Sequence, residues 1–132
     1  PADGVTYSAT TTLDGVMEKY IPGDYEFDVP ARLRELYAKK DYGRYGTKGG
    51  KMPLCFLSTC HTTGGNSGSP AIDAHGNLIG LNFDRVWEGT MSDIHYDPKI
   101  CRNIMVDMRY VLFVIDKYAG AGYLVDEMKL VK

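Results

Sequence analysis

The sequence predicts a mainly β chain that ends in helices. Short runs rich in apolar and β-branched residues recur along it, as at residues 53–60 and 103–108, and such runs are typical of strands. The turn pair Gly76-Asn77 separates two further runs and indicates a β-hairpin. Apolar residues at helical spacing dominate the final part of the chain, residues 110–128. Together these patterns favour a sheet with helices packed on it.

Length and composition place the chain among globular domains. It has 132 residues, 44% hydrophobic and 24% charged, so we expect one domain over residues 1–132 with a buried core. The 15 Lys and Arg and 17 Asp and Glu give a net charge of -2, which argues against nucleic-acid binding. No apolar run approaches the roughly 18 residues that span a bilayer. Because the chain begins at Pro1 without an initiator Met or a leader, we expect a processed form or a piece of a longer protein.

The domain divides near Gly49-Gly50 into an irregular front, residues 1–50, and a strongly patterned back, residues 51–132. In the front, residues 5–13 are rich in Thr, Val and Tyr and predict a strand. We expect this strand to end at the turn pair Asp14-Gly15.

A helix is predicted later in the front. Asp28 is a suitable capping residue and Pro30 suits a first turn. The helical spacing is carried by Leu33, Leu36 and Tyr37. The helix should stop before Gly43, and the glycines and charges of residues 42–51 predict a surface loop.

The back contains the clearest elements. The predicted strands are residues 53–60, 71–73, 77–83 and 103–108, and the predicted helices are residues 110–118 and 123–128. The strands 71–73 and 77–83 flank the turn at residues 74–77 and form the hairpin.

Several other side chains are expected to be structural. Cys55 and Cys60 lie five apart on one predicted strand and point to opposite faces, so with Cys101 they are expected to be small buried residues without a disulfide. Trp87 is expected to pack at a loop, and the core should include Met105, Met108 and Met128. We expect neither a metal nor a cofactor.

The unusual feature is the Gly-rich loop at residues 61–70, between two predicted strands. Glycines on both sides of Ser67 allow a tight bend that holds the hydroxyl out of the sheet. The N–H groups of Gly65 and Ser67 would then be natural donors to a developing oxyanion. A simple Gly/Ser turn remains an alternative. A phosphate cradle fits less well because no Lys follows and no helix opens there.

The loop motif GGNSGSP (64–70) resembles the nucleophile loop of chymotrypsin-fold serine peptidases, whose usual form is Gly-Asp-Ser-Gly-Gly-Pro. Further segments are similar to the C-terminal part of the S46 dipeptidyl peptidases: GLNFDR (80–85), WEG (87–89) and DMRYVLF (107–113). The resemblance begins at TTLDG (11–15) and covers nearly the whole chain.

The resemblance implies the C-terminal barrel portion of a chymotrypsin-like double β-barrel that carries an inserted helical domain. Ser67 would be the nucleophile, and the His base and its Asp would lie upstream in the N-terminal barrel. Residue position gives no reason for His61, His75 or His95 to face Ser67. Asn66 stands where the common chymotrypsin pattern has an Asp, and a neutral amide cannot form the ion pair of zymogen activation.

The resemblance also implies a substrate. Arg85 matches the S1 position at which S46 members that prefer acidic P1 residues carry Arg, and a guanidinium can hold a carboxylate in a bidentate pair. Asp84 would bind the free α-amino group, so that the full-length enzyme releases dipeptides. The implied partners are a peptide substrate and the rest of the same polypeptide, and a homodimer is compatible with the family. The family further implies a bacterial periplasm or cell surface.

Two alternatives stay open on the residues alone. The chain could be a non-catalytic β-rich interaction module in which the Gly/Ser loop is only a turn, or an endopeptidase of the same fold. An exposed Ser67 hydroxyl favours a peptidase, whereas a buried or internally bonded hydroxyl favours the module. Asp84 and Arg85 argue against an endopeptidase only through the resemblance.

Overall fold

A computed structural model describes Gly4 and residues 6–131 of the chain. These residues form a five-stranded antiparallel sheet with the strand order β1-β2-β5-β4-β3. The strands are β1 Thr10–Thr12, β2 Pro53–Ser58, β3 Pro70–Ile72, β4 Leu78–Arg85 and β5 Asn103–Asp107. The helices are α1 Leu13–Glu18, α2 Ala31–Lys39, α3 Met108–Phe113 and α4 Gly122–Asp126, with 3₁₀ helices at Gly43–Tyr45 and Trp87–Asp93 and a π-helical turn at Val114–Tyr118.

The strands of the back agree with the sequence pattern to within a few residues. β3 and β4 form the predicted hairpin, closed by Asp73, whose carboxylate accepts hydrogen bonds from the backbone of His75 and Asn77. β5 lies in the centre of the sheet, where Val106 faces both β2 and β4. The predicted mainly β fold with C-terminal helices is therefore confirmed at the level of this single sheet.

The first predicted strand is largely wrong. Val5 lies outside the described residues, only Thr10–Thr12 is a strand, and Asp14 and Gly15 belong to α1 rather than to a turn. The chain turns into a helix because Leu13 is drawn into the core: it is fully buried and its N–H donates to Met52 O at 2.9 Å. A local β pattern is here overridden by packing.

The second helix starts and ends as predicted, but Asp28 does not cap it. Pro30 is the N-cap and makes no side-chain cap bond, and the helix closes with Lys40 in the left-handed conformation. The segment 42–51 is less of a surface loop than expected, since Tyr42 and Tyr45 are buried.

The main core joins the front of the chain to its end. It is built from Leu13, Val29, Leu33, Leu36, Tyr42, Tyr45, Met52, Phe113 and Val125. A hydrogen bond and a salt bridge reinforce the same junction: the Tyr45 hydroxyl donates to Asp116 at 2.8 Å, and Lys117 pairs with Asp41 at 2.9 Å. The irregular front is thus one wall of the core.

The predicted C-terminal helices are both present. The Asp107 side chain caps α3 by accepting from Arg109 N, and its carboxylate also binds the Arg109 guanidinium, which raises the pKa of Arg109. No helix among the described residues has the length and apolar content to cross a bilayer.

Some side chains expected to be buried are not. Trp87 is 84% exposed and Met128 44% exposed, whereas Met105 is buried as predicted. The cysteines are free, as predicted, but Cys60 is exposed and only Cys101 is fully buried. Trp87 begins a 3₁₀ helix rather than lying in an irregular loop.

Candidate active site

The Gly-rich segment between β2 and β3 is a tightly folded loop. Gly65 and Gly68 have φ of 94° and 83°, a left-handed conformation that residues with a Cβ rarely adopt. These two glycines bracket Asn66 and Ser67, so the backbone reverses on each side of the serine. The glycine pattern is therefore required by the loop geometry.

Asn66 holds the loop together from inside. Its side-chain oxygen accepts from Thr63 N at 2.9 Å, and its backbone oxygen accepts from both the N–H (3.0 Å) and the hydroxyl (2.6 Å) of Ser69. The neutral amide that replaces the usual Asp is thus used locally, as a turn-forming side chain.

Asn82 on β4 anchors the loop to the sheet. Its backbone accepts from Gly68 N at 2.7 Å and donates to Ser69 O at 2.9 Å, and its side chain donates to Asn66 O at 3.1 Å. Asn82 is only 6% exposed, and its Oδ1 is a buried acceptor without a hydrogen bond among the described residues. Three bonds from one buried residue fix the position of the serine loop.

A second asparagine anchors the entry to the loop. Asn103 of β5 is buried; its side chain accepts from the Thr62 hydroxyl at 2.7 Å and donates to the carbonyl of Cys60. Both ends of the loop are therefore tied to central strands of the sheet.

Ser67 itself is exposed, and its hydroxyl makes no hydrogen bond with any described residue. The N–H groups of Gly65 and Ser67 likewise have no hydrogen-bond acceptor within the described part of the chain. A serine that served only to close a turn would bond to the loop, as Ser69 does. The arrangement leaves a hydroxyl and two donors open to a ligand.

No histidine side chain bonds to Ser67 within residues 6–131. His61 stacks on Tyr96, with ring centroids 4.5 Å apart. His75 lies in the β3–β4 turn and His95 follows the 3₁₀ helix, and both are exposed. The described residues therefore place no histidine base at the Ser67 hydroxyl.

The four residues singled out from the sequence meet at one recess. It has a volume of 130 Å³ and is lined by Thr62, Thr63, Gly64, Gly65, Ser67, Asn82, Phe83, Asp84 and Arg85. A larger recess of 900 Å³ lies elsewhere, between the hairpin turn and residues 128–131, and does not include Ser67. All four residues that the sequence predicts to act in peptide cleavage therefore line the smaller recess.

Arg85 is anchored at the end of β4 by two neighbouring side chains. Its side chain is 19% exposed and donates to Ser92 Oγ at 2.6 Å and to the Asp93 oxygens at 3.0 and 3.3 Å. Asp84 is exposed, and its Oδ1 accepts from Arg85 N at 2.8 Å. The recess thus presents one anchored cation beside one open carboxylate. The described residues contain no group of three or more His, Cys, Asp or Glu side chains able to hold a metal ion.

Comparison with known proteins identifies the family. The model of the peptidase S46 family matches residues 1–130. The chain belongs to the peptidase S46 family. This membership agrees with the resemblance carried by the loop and by the strand that ends in Arg85.

Relatives of this S46 chain are considerably longer than it is. It is 88% identical to the Asp/Glu-specific dipeptidyl-peptidase of Capnocytophaga gingivalis and 55% identical to a dipeptidyl-peptidase 7 of Phocaeicola vulgatus. Each match covers 100% of the chain and 18% of the relative. The crystal structure of Porphyromonas endodontalis DPP11 in complex with the dipeptide Arg-Asp matches with a TM-score of 0.94 and 54% identity, over 98% of this chain and 19% of that one.

Sequence reasoning missed three residues that support the candidate site: Asn82, which anchors the serine loop, and Ser92 and Asp93, which hold Arg85. Asn82 carried one usable signal, a polar residue between Leu81 and Phe83 in an otherwise apolar strand. Ser92 and Asp93 had none, because their partner Arg85 is reached only when the 3₁₀ helix folds back on the end of β4.

Proposed function

We propose that this chain is the C-terminal part of a serine dipeptidyl peptidase that releases dipeptides with Asp or Glu at P1 from free N-termini. The supporting observation is that Ser67, exposed and without a bond to its own loop, shares one recess with Arg85 and Asp84. The names of the relatives, of which this chain spans about a fifth, support the same substrate class.

In this mechanism Ser67 Oγ attacks the carbonyl carbon of the second peptide bond while a base takes its proton. The negative charge that develops on the carbonyl oxygen is stabilised by the N–H groups of Gly65 and Ser67, which have no competing acceptor among the described residues. Collapse of the tetrahedral intermediate breaks the C–N bond, and the base returns the proton to the departing amine. Water then hydrolyses the acyl-enzyme by the same route.

Two charged residues would select the substrate. Arg85 binds the P1 carboxylate in S1, because a guanidinium with little solvent access forms a strong, directional pair with a carboxylate. Asp84 binds the free α-amino group, which limits the acyl part of the substrate to two residues. The alternative of an endopeptidase of this fold predicts no dependence on that amine.

The rest of the enzyme completes the site in this proposal. The His base and its orienting Asp come from an N-terminal barrel, so that the five-stranded sheet described here belongs to the C-terminal half of a chymotrypsin-like double β-barrel with an inserted helical domain. The proposal includes export to a bacterial periplasm or surface, and a homodimer as the form of the full-length enzyme.

The nucleophile can be tested by covalent labelling of the full-length protein with a fluorophosphonate, followed by peptide mass mapping. We expect phosphonylation of Ser67 and not of Ser69, which is two residues away and bonded to Asn66. Ser67→Ala should abolish both labelling and turnover of an Asp-P1 dipeptidyl reporter, while the reporter still binds. Turnover that survives in Ser67→Ala, or a label on Ser69 alone, would show that Ser67 is not the nucleophile, whereas a full-length protein with neither labelling nor turnover would favour the non-catalytic module.

A further inference from the structure

The guanidinium of Arg85 is held along one edge only. Arginine has five N–H donors: two on Nη1, two on Nη2 and one on Nε. Nη1 donates to Ser92 Oγ at 2.6 Å and to Asp93 Oδ1 at 3.0 Å, and Nη2 donates to Asp93 Oδ2 at 3.3 Å. The end of the guanidinium is therefore paired with one carboxylate through both terminal nitrogens.

The opposite edge is open. Nε–H and the second Nη2–H lie side by side on the guanidinium plane, and neither has a partner among the described residues. Such a pair of parallel donors is the geometry that accepts a carboxylate in a bidentate manner. Arg85 lines the recess that contains Ser67, whereas neither Ser92 nor Asp93 does. The two partners therefore approach Arg85 from outside the recess.

We infer that Asp93, assisted by Ser92, is a positioning residue for acidic-P1 specificity: it fixes Arg85 so that the Nε–Nη2 edge is presented to the substrate carboxylate. This inference rests on the proposed function of Arg85. A long side chain without such a partner samples several rotamers and must lose that freedom on binding. Anchoring it in advance lowers the entropic cost of binding.

The anchor is itself well supported. Ser92 is only 7% exposed, and the 3₁₀ helix Trp87–Asp93 is tied to the sheet by the bond from Val86 N to Arg102 O at 3.0 Å. Gly89 of the same helix packs closely on Cys101, since a Cβ built at Gly89 would lie 3.3 Å from the Cα of Cys101. Asp93 is thus presented by an element that is packed against the chain leading into β5.

Asp93 has two opposing effects on the binding of an acidic P1 side chain: it repels the carboxylate and it positions Arg85. Their relative size follows from the geometry. Its negative charge repels a P1 carboxylate, but its side chain is 48% exposed, so water screens this repulsion. Its two hydrogen bonds to Arg85 are direct contacts to a largely buried group. We therefore expect the positioning effect to exceed the repulsion.

The test compares kcat/KM for Asp-P1 and Leu-P1 dipeptidyl reporters in the full-length enzyme. Asp93→Asn should lower kcat/KM for the Asp-P1 reporter by about tenfold and Asp93→Ala by more, with the Leu-P1 value unchanged. Ser92→Ala should cause a smaller loss, about threefold, because a neutral partner is removed. Glu88→Gln is the matched control: it removes a charge from the same helix, and Glu88 makes no side-chain bond within the described residues. It should leave both values unchanged.

Four results would overturn the inference. A rise in Asp-P1 activity in Asp93→Asn would show that Asp93 competes with the substrate. An equal loss for both reporters would show only a structural role. The reference variant Arg85→Gly distinguishes a failure of the proposed function from a failure of the role of Asp93. If it fails to change the ratio of the two kcat/KM values, the specificity in the proposed function is wrong; if it changes the ratio and Asp93→Asn does not, only the role of Asp93 is wrong.

Discussion

At the scale of residues, two asparagines hold the backbone of the serine loop in place, which the loop motif alone would not predict. Asn66 bonds to Thr63 and Asn82 bonds to the backbone oxygen of Asn66. Both bonds act on the backbone that carries Ser67, so they influence any substrate equally. Arg85, in contrast, contacts only the substrate side chain in the proposed mechanism. Substitutions at the two kinds of position should therefore be distinguishable by kinetics.

Asn82→Ala in the full-length enzyme should lower kcat/KM by about tenfold for acidic and apolar P1 reporters alike. The variant loses a buried hydrogen bond to the serine loop, which typically contributes about 1 to 1.5 kcal/mol, and 1.4 kcal/mol corresponds to tenfold. Asn77→Ala, which removes an amide from the same hairpin but outside the loop, should retain activity. A loss confined to one reporter class would show that Asn82 acts on the substrate and not on the loop.

At the scale of elements, two glycines differ in the space that a side chain would have, one in the sheet and one in a helix. Gly80 lies where β4 passes under Phe56, and a Cβ there would stand 2.8 Å from the Phe56 ring and from Val106 O. Gly15 lies within α1 with nothing within 4 Å of the corresponding Cβ.

Replacing each of these glycines with Ala should therefore change stability in opposite directions. Gly80→Ala should destabilise the fold by about 1 to 3 kcal/mol through overpacking. Gly15→Ala should stabilise it by up to about 1 kcal/mol, because Ala favours the helix. Thermal unfolding of the two full-length variants measures both effects, and a stabilised Gly80→Ala variant would contradict the close approach of β4 to Phe56.

The contact between α1 and α2 should depend on pH. Asp14 accepts hydrogen bonds from Lys51 and from the Tyr37 hydroxyl, and these bonds lower the pKa of Asp14 below its ordinary value of 3.8. Because the folded pKa is the lower one, the contribution is complete above the unfolded pKa of about 4 and is lost as pH falls through the folded pKa.

Asp14→Asn should consequently lower the melting temperature at pH 7 and have a progressively smaller effect as the pH falls below about 4. Glu18→Gln is a suitable control, since Glu18 is exposed on the same helix and makes no side-chain hydrogen bond to a described residue. An Asp14→Asn effect that is the same at pH 7 and at pH 3 would show that the carboxylate charge is not involved.

At the scale of the whole molecule, the isolated 132-residue chain should have no detectable peptidase activity on an Asp-P1 reporter. Serine is a weak nucleophile near neutral pH and needs a base, and no histidine side chain among residues 6–131 bonds to Ser67. The full-length enzyme in the same assay is the positive control. Activity of the isolated chain that is abolished by Ser67→Ala would place the base within these 132 residues.

Several elements could be predicted because their signals are local. Strand β2, the hairpin with its turn at Asp73, and strand β5 follow from runs of a few apolar residues and from turn chemistry. The same holds for the loop around Ser67, where the positive φ angles of Gly65 and Gly68 favour glycine. The predictions for Trp87, Met128 and Cys60 were wrong because residue type indicates burial only on average.

The sequence by itself therefore determined the order of the main strands and helices, the position of the Gly-rich loop around Ser67 and the resemblance to the family. Only the tertiary structure decided that α1 replaces a strand, that Asn82 anchors the loop and that Asp93 holds Arg85. The physical reason is range along the chain. Periodicity and turn preferences act over a few neighbouring residues, whereas the deciding contacts join Leu13 to Met52 and Asn66 to Asn82. Such pairings exist only after the sheet has formed and the core has closed around it.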